Sequence, residues 1–151
     1  KKDLKVGILL IATNQYKQFI EQLLESADKY FFAGRKLNVY LFTDDTSYKF
    51  ITPSRINVRL FKIAPLKFPF ATLFRYFLFA QVKKYIDCDY VFYSDIDCRF
   101  VDFVGEEILP LDLPKENQLV AVRHCGFYAK GGGGWETRPV STAYIAPENR
   151  R

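Results

Sequence analysis

Two carboxylates separated by one apolar residue, Asp95-Ile96-Asp97, follow almost directly on the run Tyr90-Val91-Phe92-Tyr93. Past a strand end the backbone can bend, so both acids can converge on one ion while Ile96 turns aside. Hard oxygen ligands of this type suit Mn or Mg, which can in turn bridge to the oxygens of a diphosphate and ease its departure. The pair could instead cap the following turn or form ion pairs with Arg99 and other basic groups, and an isolated Asp-x-Asp is a common sequence. Context favours a site. The aromatic and β-branched run suits a strand covered on both faces, and in a parallel α/β sheet ligands bind outside the carboxyl ends of the strands.

The elements that would position these acids can be read along the chain. Val6 to Ala12 is a continuous apolar run fit for a buried parallel strand, ended by the turn Thr13-Asn14. Between Tyr16 and about Phe32, Phe19, Ile20, Leu23, Leu24, Ala27, Tyr30 and Phe31 recur at helical spacing, with Asn14 as N-cap and Gly34 beyond the end. Leu37 to Thr43 gives a second strand, so a right-handed β-α-β unit is expected. Ile56 to Ile63 suits a shorter strand at an edge. A second helix is expected over Ala71 to about Ile86, with Leu73, Phe74, Phe77, Leu78, Val82 and Ile86 on one side and Arg75 towards the margin of that stripe. The helix dipole gives no reason for an arginine near this helix start, and a solvated or ion-paired residue is its plainest reading. Val104 to Leu109 suits a short helix or turn, and Leu119 to Arg123 and Ser141 to Ala146 have β character.

Length and composition bound the reading further. With 151 residues, fifteen Phe and ten Tyr, the chain fits one domain over 1–151, since a domain of this size buries about two-thirds of its unfolded surface. The net charge of +5 would suit a nucleic acid, an anionic surface or a phosphorylated small molecule. No basic run exceeds two residues and no zinc-finger or ribonucleoprotein-type motif occurs, which argues against nucleic acid. Cys88, Cys98 and Cys125 form no C-x-x-C pair and read as reduced, buried thiols. Val6 to Ala12 is too short to span a bilayer. A soluble, cytoplasmic chain is expected for the residues shown, and a membrane-anchored parent stays open. His124, the one histidine, could titrate near neutrality or donate to a ligand hydroxyl. Gly131 to Gly134 lacks the lysine and spacing of a phosphate-binding loop and reads as a loop anchored by Trp135.

Several blocks in register resemble glycosyltransferase family 6, which includes the blood-group A and B transferases, α-1,3-galactosyltransferase and shorter microbial relatives. They are Leu10 to Tyr16, Val39 to Asp44, Phe74-Arg75-Tyr76, Asp89-Tyr90-Val91 through Asp95-Ile96-Asp97, and Gly126-Phe127-Tyr128 through Glu136-Thr137-Arg138-Pro139 to Ala143-Tyr144-Ile145. The resemblance implies an α/β, GT-A (Rossmann-like) nucleotide-sugar-binding fold with a mostly parallel central sheet flanked by helices. It also implies a UDP-galactose or UDP-N-acetylgalactosamine donor and α-1,3 transfer to a galactose-containing acceptor with retained configuration.

Carried over by position, Ile11, Ala12 and Thr13 would contact uridine and Tyr16 would pack on uracil, as a flat ring can on a flat base. Arg75 would lie near the donor sugar. Asp95 and Asp97 would hold the metal and nucleotide, Ile96 would add backbone contacts to the ribose, and His124 would bind the acceptor. Some microbial relatives carry Asn-x-Asn and work without metal, so the two acids here imply Mn dependence, with Mg as a substitute. The family's second half, with its catalytic glutamate, has no counterpart before Arg151, and neither Glu136 nor Glu148 takes that role. The chain is accordingly expected to be the nucleotide-binding portion of an enzyme, incomplete at its C-terminus, with no catalytic residue of its own. The alternatives are another GT-A transferase using UDP-glucose, a non-catalytic nucleotide-sugar-binding module and, last, a nucleic-acid binder whose affinity would fall steeply with salt.

Overall fold

The computed structural model describes residues 4–67, 69–114, 119–121, 139–140 and 146–149. The chain forms two compact units, Lys1–Ile108 and Leu109–Arg151. In the second, the described residues include a short 3-10 turn, Pro147–Asn149. Residues 119–121 and Ala146 carry no strand, and the remainder of the two stretches predicted as β there, together with His124, Cys125, the glycine run and Trp135, lies outside the described residues.

The first unit holds a parallel sheet of four strands among the described residues: β1 (Val6–Ala12), β2 (Leu37–Thr43), β3 (Ile56–Lys62) and β4 (Tyr90–Tyr93). Their order is β3-β2-β1-β4, with Val6 opposite Leu37 and Tyr90, and Leu37 opposite Ile56. The chain thus builds outward from β1 through β2 to β3, then returns to place β4 on the other side of β1. A sheet order that reverses in this way leaves a crevice between the two strands where it reverses, at their carboxyl ends. Both faces of β1 are covered along its whole length, and β2 is buried but for Asn38, which is why both read as unbroken apolar runs.

The helices fill the two faces. On one, Leu9 and Ile11 of β1 and Tyr40 and Phe42 of β2 pack with Phe79 and Val82 of α2 (Phe70–Val82). Alternation along a strand turns Val6, Ile8, Leu10, Val39 and Leu41 to the other face, where all are buried. There α1 (Ile20–Tyr30) buries Ile20, Leu23, Leu24 and Ala27, and Phe31 just beyond it meets Phe92 of β4 edge to face at 5.1 Å. Among the described residues no helix is long and apolar enough to cross a membrane.

Several expectations need correction. The first helix opens as a 3-10 helix, Asn14–Phe19, with Thr13 rather than Asn14 at its N-cap position and no side-chain capping bond. Asn14 instead takes a left-handed backbone (φ 54), a conformation asparagine tolerates better than most residues. Gly34, with φ +80, does lie beyond the helix end. The predicted stripe of α2 holds only in part: Leu73, Phe74 and Phe77 are exposed, Val82 is buried as expected with Leu78 and Ile86 packed against the core, and Phe79, outside the stripe, is buried as well. That helix is apolar almost all round, so periodicity cannot say which face is inside. β4 is not covered on both faces either, since Val91 is exposed where β4 ends the described sheet. Cys98 is exposed rather than buried.

Candidate functional site

A cavity of about 250 Å³ opens at the carboxyl ends of β1 and β4, where the strand order reverses. Ile11, Thr13 and Tyr16 line it from β1 and the 3-10 helix that follows. Leu66, Pro69, Ala71, Thr72 and Arg75 line it from the loop before α2 and the first turns of that helix. Tyr93, Asp95, Ile96 and Asp97 close it from β4 and its following turn.

Local hydrogen bonds hold the β1 side in place. The Thr13 hydroxyl and the Asn14 side-chain amide both donate to the Leu66 carbonyl, at 3.2 and 3.0 Å, tying the turn after β1 to the loop before α2. The backbone N–H of Asn14 lies 3.2 Å from both carboxylate oxygens of Asp44, at the end of β2. Lys17 donates to Asp44 Oδ1 at 2.7 Å. The Lys17 bond first, and the Asn14 amide with it, hold the Asp44 carboxyl below its ordinary range despite some burial.

On the β4 side the acids emerge as the pattern requires. Ile96 turns inward to only 5% exposure, and both aspartates are exposed on the cavity. The Cys98 N–H closes a turn onto the Asp95 carbonyl at 3.2 Å, and the next stretch is fastened along α1: Phe100 N–H donates to Ser26 Oγ at 3.2 Å and its ring stacks on Phe31 at 4.6 Å. Arg99 donates to Gln22, not to either aspartate. The Tyr93 hydroxyl donates to Asp95 Oδ1, and Arg75 Nη1 lies 3.7 Å from that same oxygen. The Arg75 guanidinium sits 4.5 Å over the Tyr93 ring. Burial first, and the bond to Asp95 second, push the Tyr93 hydroxyl well above the usual phenol range, so it stays a neutral donor. Asp97 has no hydrogen-bond or ion-pair partner among the described residues.

Seven of the eight residues expected to bind a nucleotide sugar, Ile11, Thr13, Tyr16, Arg75, Asp95, Ile96 and Asp97, therefore meet in one cavity. Ala12 does not line it; it is fully buried within β1. His124 lies outside the described residues. Sequence reasoning missed Tyr93, Thr72 and Leu66. Period-two alternation, which puts Tyr93 and Asp95 on the same side, was the available signal for Tyr93. Among the described residues no group of three or more His, Cys, Asp or Glu could hold a metal ion. Two carboxylates are nonetheless a fitting donor set for Mn or Mg where substrate phosphates supply further oxygens.

The family model described as Glycosyltransferase family 6 matches residues 1–150. The chain is 30% identical over 157 residues to the dog (Canis lupus familiaris) globoside alpha-1,3-N-acetylgalactosaminyltransferase 1, covering 95% of this chain and 42% of that protein. The human (Homo sapiens) globoside alpha-1,3-N-acetylgalactosaminyltransferase 1 is 29% identical over 153 residues, with 95% and 42% covered. The rat (Rattus norvegicus) histo-blood group ABO system transferase 1 is 28% identical over 148 residues, with 93% and 40% covered. The chain thus spans about two-fifths of the length of these relatives. With the family model matched along nearly its whole length and a parallel α/β sheet flanked by helices beneath the cavity, the chain belongs to glycosyltransferase family 6 and has the Rossmann-like GT-A fold.

Proposed function

We propose that the cavity binds the UDP portion of UDP-galactose or UDP-N-acetylgalactosamine. The protein carrying this chain would transfer the sugar, with retained configuration, to the 3-hydroxyl of a galactose-containing glycan. The observation that carries this reading is the meeting of Ile11, Thr13, Tyr16, Arg75, Asp95, Ile96 and Asp97 in one cavity at the point where the strand order reverses. The names of two relatives, both alpha-1,3-N-acetylgalactosaminyltransferases, support N-acetylgalactosamine and the α-1,3 linkage, while galactose, the acceptor and retention rest on the family resemblance.

In this reading the exposed ring of Tyr16 packs on the uracil, with Ile11 and Thr13 beside it. Asp95 and Asp97 would hold Mn, or Mg, and the bound ion would supply positive charge to offset the negative charge developing on UDP. Arg75, fixed beside Asp95, presents its positive charge to the donor sugar and its phosphates. The acceptor hydroxyl would attack the anomeric carbon from the face that UDP leaves, its proton passing to the departing phosphate oxygen as the bond to that oxygen breaks, so that configuration is retained. His124 is the residue proposed to orient that acceptor, on the strength of the family resemblance.

The test is donor screening of the full-length protein with a β-galactoside acceptor, following UDP release in the presence of Mn. Turnover with UDP-galactose or UDP-N-acetylgalactosamine, and an α-1,3 linkage by NMR, is the expected result. Turnover with UDP-glucose alone would reject the proposed donor. UDP binding with no transfer to any acceptor would make this a binding module instead.

A further inference from the structure

We propose that Tyr93 is a positioning residue for both charged groups of this site, its hydroxyl orienting the Asp95 carboxylate and its ring orienting the Arg75 guanidinium. The proposal rests on the reading of the cavity as a metal and UDP site, and goes beyond it by naming what sets the geometry of its acid and its base. The Asp95 side chain is 59% exposed, so packing does little to fix it. An aspartate in that setting can rotate freely about its side-chain bonds unless something holds an oxygen. Tyr93 holds Oδ1, and no hydrogen bond engages Oδ2 among the described residues.

The ring does the second job. Arg75 is the sixth residue of α2 and its one charged residue, yet its side chain is only 15% exposed. Its Nε donates to the Thr72 carbonyl at 3.0 Å, and its guanidinium lies over the Tyr93 ring, 4.5 Å from the centroid. Tyr93 can serve as this platform because its own ring is anchored: it packs against the apolar cluster of β1, β2 and α2, 5.5 Å from Phe79. One side chain therefore ties the core to both charges at the cavity wall. Partners that orient a metal-binding carboxylate typically change metal affinity by about 10- to 100-fold when removed.

The experiment uses the full-length protein and two variants, Tyr93→Phe and Tyr93→Leu. Calorimetry would measure UDP binding across a Mn titration and again in EDTA, and thermal unfolding would report on the fold. Tyr93→Phe keeps the ring and loses the hydroxyl. It is expected to raise the Mn concentration needed for half-maximal UDP binding by about tenfold or more, with unfolding and metal-free UDP binding unchanged. Tyr93→Leu, which also loses the platform, is expected to add a rise in KM for the UDP-sugar beyond that of Tyr93→Phe. If wild type shows Mn-supported UDP binding and Tyr93→Phe matches it at every Mn concentration, the positioning role is wrong while the site stands. If wild type itself shows no Mn-supported binding, the reading of the site falls and the proposal with it.

Discussion

Asp95 and Asp97 stand two residues apart, yet their surroundings differ. Asp95 is engaged by Tyr93 and Arg75, whereas Asp97 lines the cavity without a hydrogen-bond or ion-pair partner among the described residues. An unpartnered exposed carboxylate loses no stabilising contact when neutralised, so Asp97→Asn is expected to leave Tm unchanged while Mn-supported UDP binding, by calorimetry, weakens at least about tenfold. Unaltered titrations would remove Asp97 from the site. Asp44 behaves differently because it is spent on structure. Lys17 and the Asn14 amide lower its pKa in the folded state, so its contribution is present above the unfolded value of about 4 and is lost as pH falls through the lower folded value. Asp44→Asn should therefore lower Tm at neutral pH, with the gap to wild type closing in thermal melts as pH drops below about 4. The two acids were legible in the sequence because a carboxylate pair interrupts an apolar run. The bond from Tyr93 was not, because an aromatic in such a run reads equally well as core.

At the scale of elements, β1 is the part that everything else is fitted to, and Gly7 shows how closely. A Cβ there would stand 2.8 Å from Cys88 Sγ and 3.1 Å from the Tyr40 ring. Gly7 also pairs with Val91 of β4, the strand that delivers the acids. Gly7→Ala is expected to destabilise by about 1–3 kcal/mol in denaturant unfolding, with Cys88→Ala in the same chain recovering part of the loss. The end of α1 depends on Arg55, whose guanidinium donates to the carbonyls of Ala27, Asp28, Phe31 and Arg35 and to the Asp28 carboxylate. Those carbonyls have few helical partners, so Arg55→Ala should cost about 2 kcal/mol or more by the same measurement, and Arg55→Lys, lacking the planar fork, should recover little. The bounds of β1 and β2 were readable because strands buried on both faces are unbroken apolar runs. The inward face of α2 was not: Phe70 to Val82 is so uniformly apolar that Arg75, its one charged residue, was the better marker of the face that matters, and it points to the cavity.

For the molecule as a whole, the order β3-β2-β1-β4 is what turns scattered residues into a site. Positions as distant in sequence as Ile11, Arg75 and Asp97 meet because β4 returns to the free side of β1, and local sequence patterns carry no direct record of that return. The opening β-α-β unit with its parallel strands could be foreseen; the partner of β4 could not. If the crevice is the donor site, UDP with Mn at about a hundredfold over Kd should stabilise the full-length protein by about 2.7 kcal/mol, seen as a Tm increase of several degrees that EDTA reverses. The most direct measurement is anomalous diffraction from a crystal of the full-length protein grown with Mn and UDP. The account predicts a manganese peak between Asp95, Asp97 and the diphosphate, with the uracil on Tyr16. A nucleotide bound away from the carboxyl ends of β1 and β4, or no manganese at the two aspartates, would contradict it.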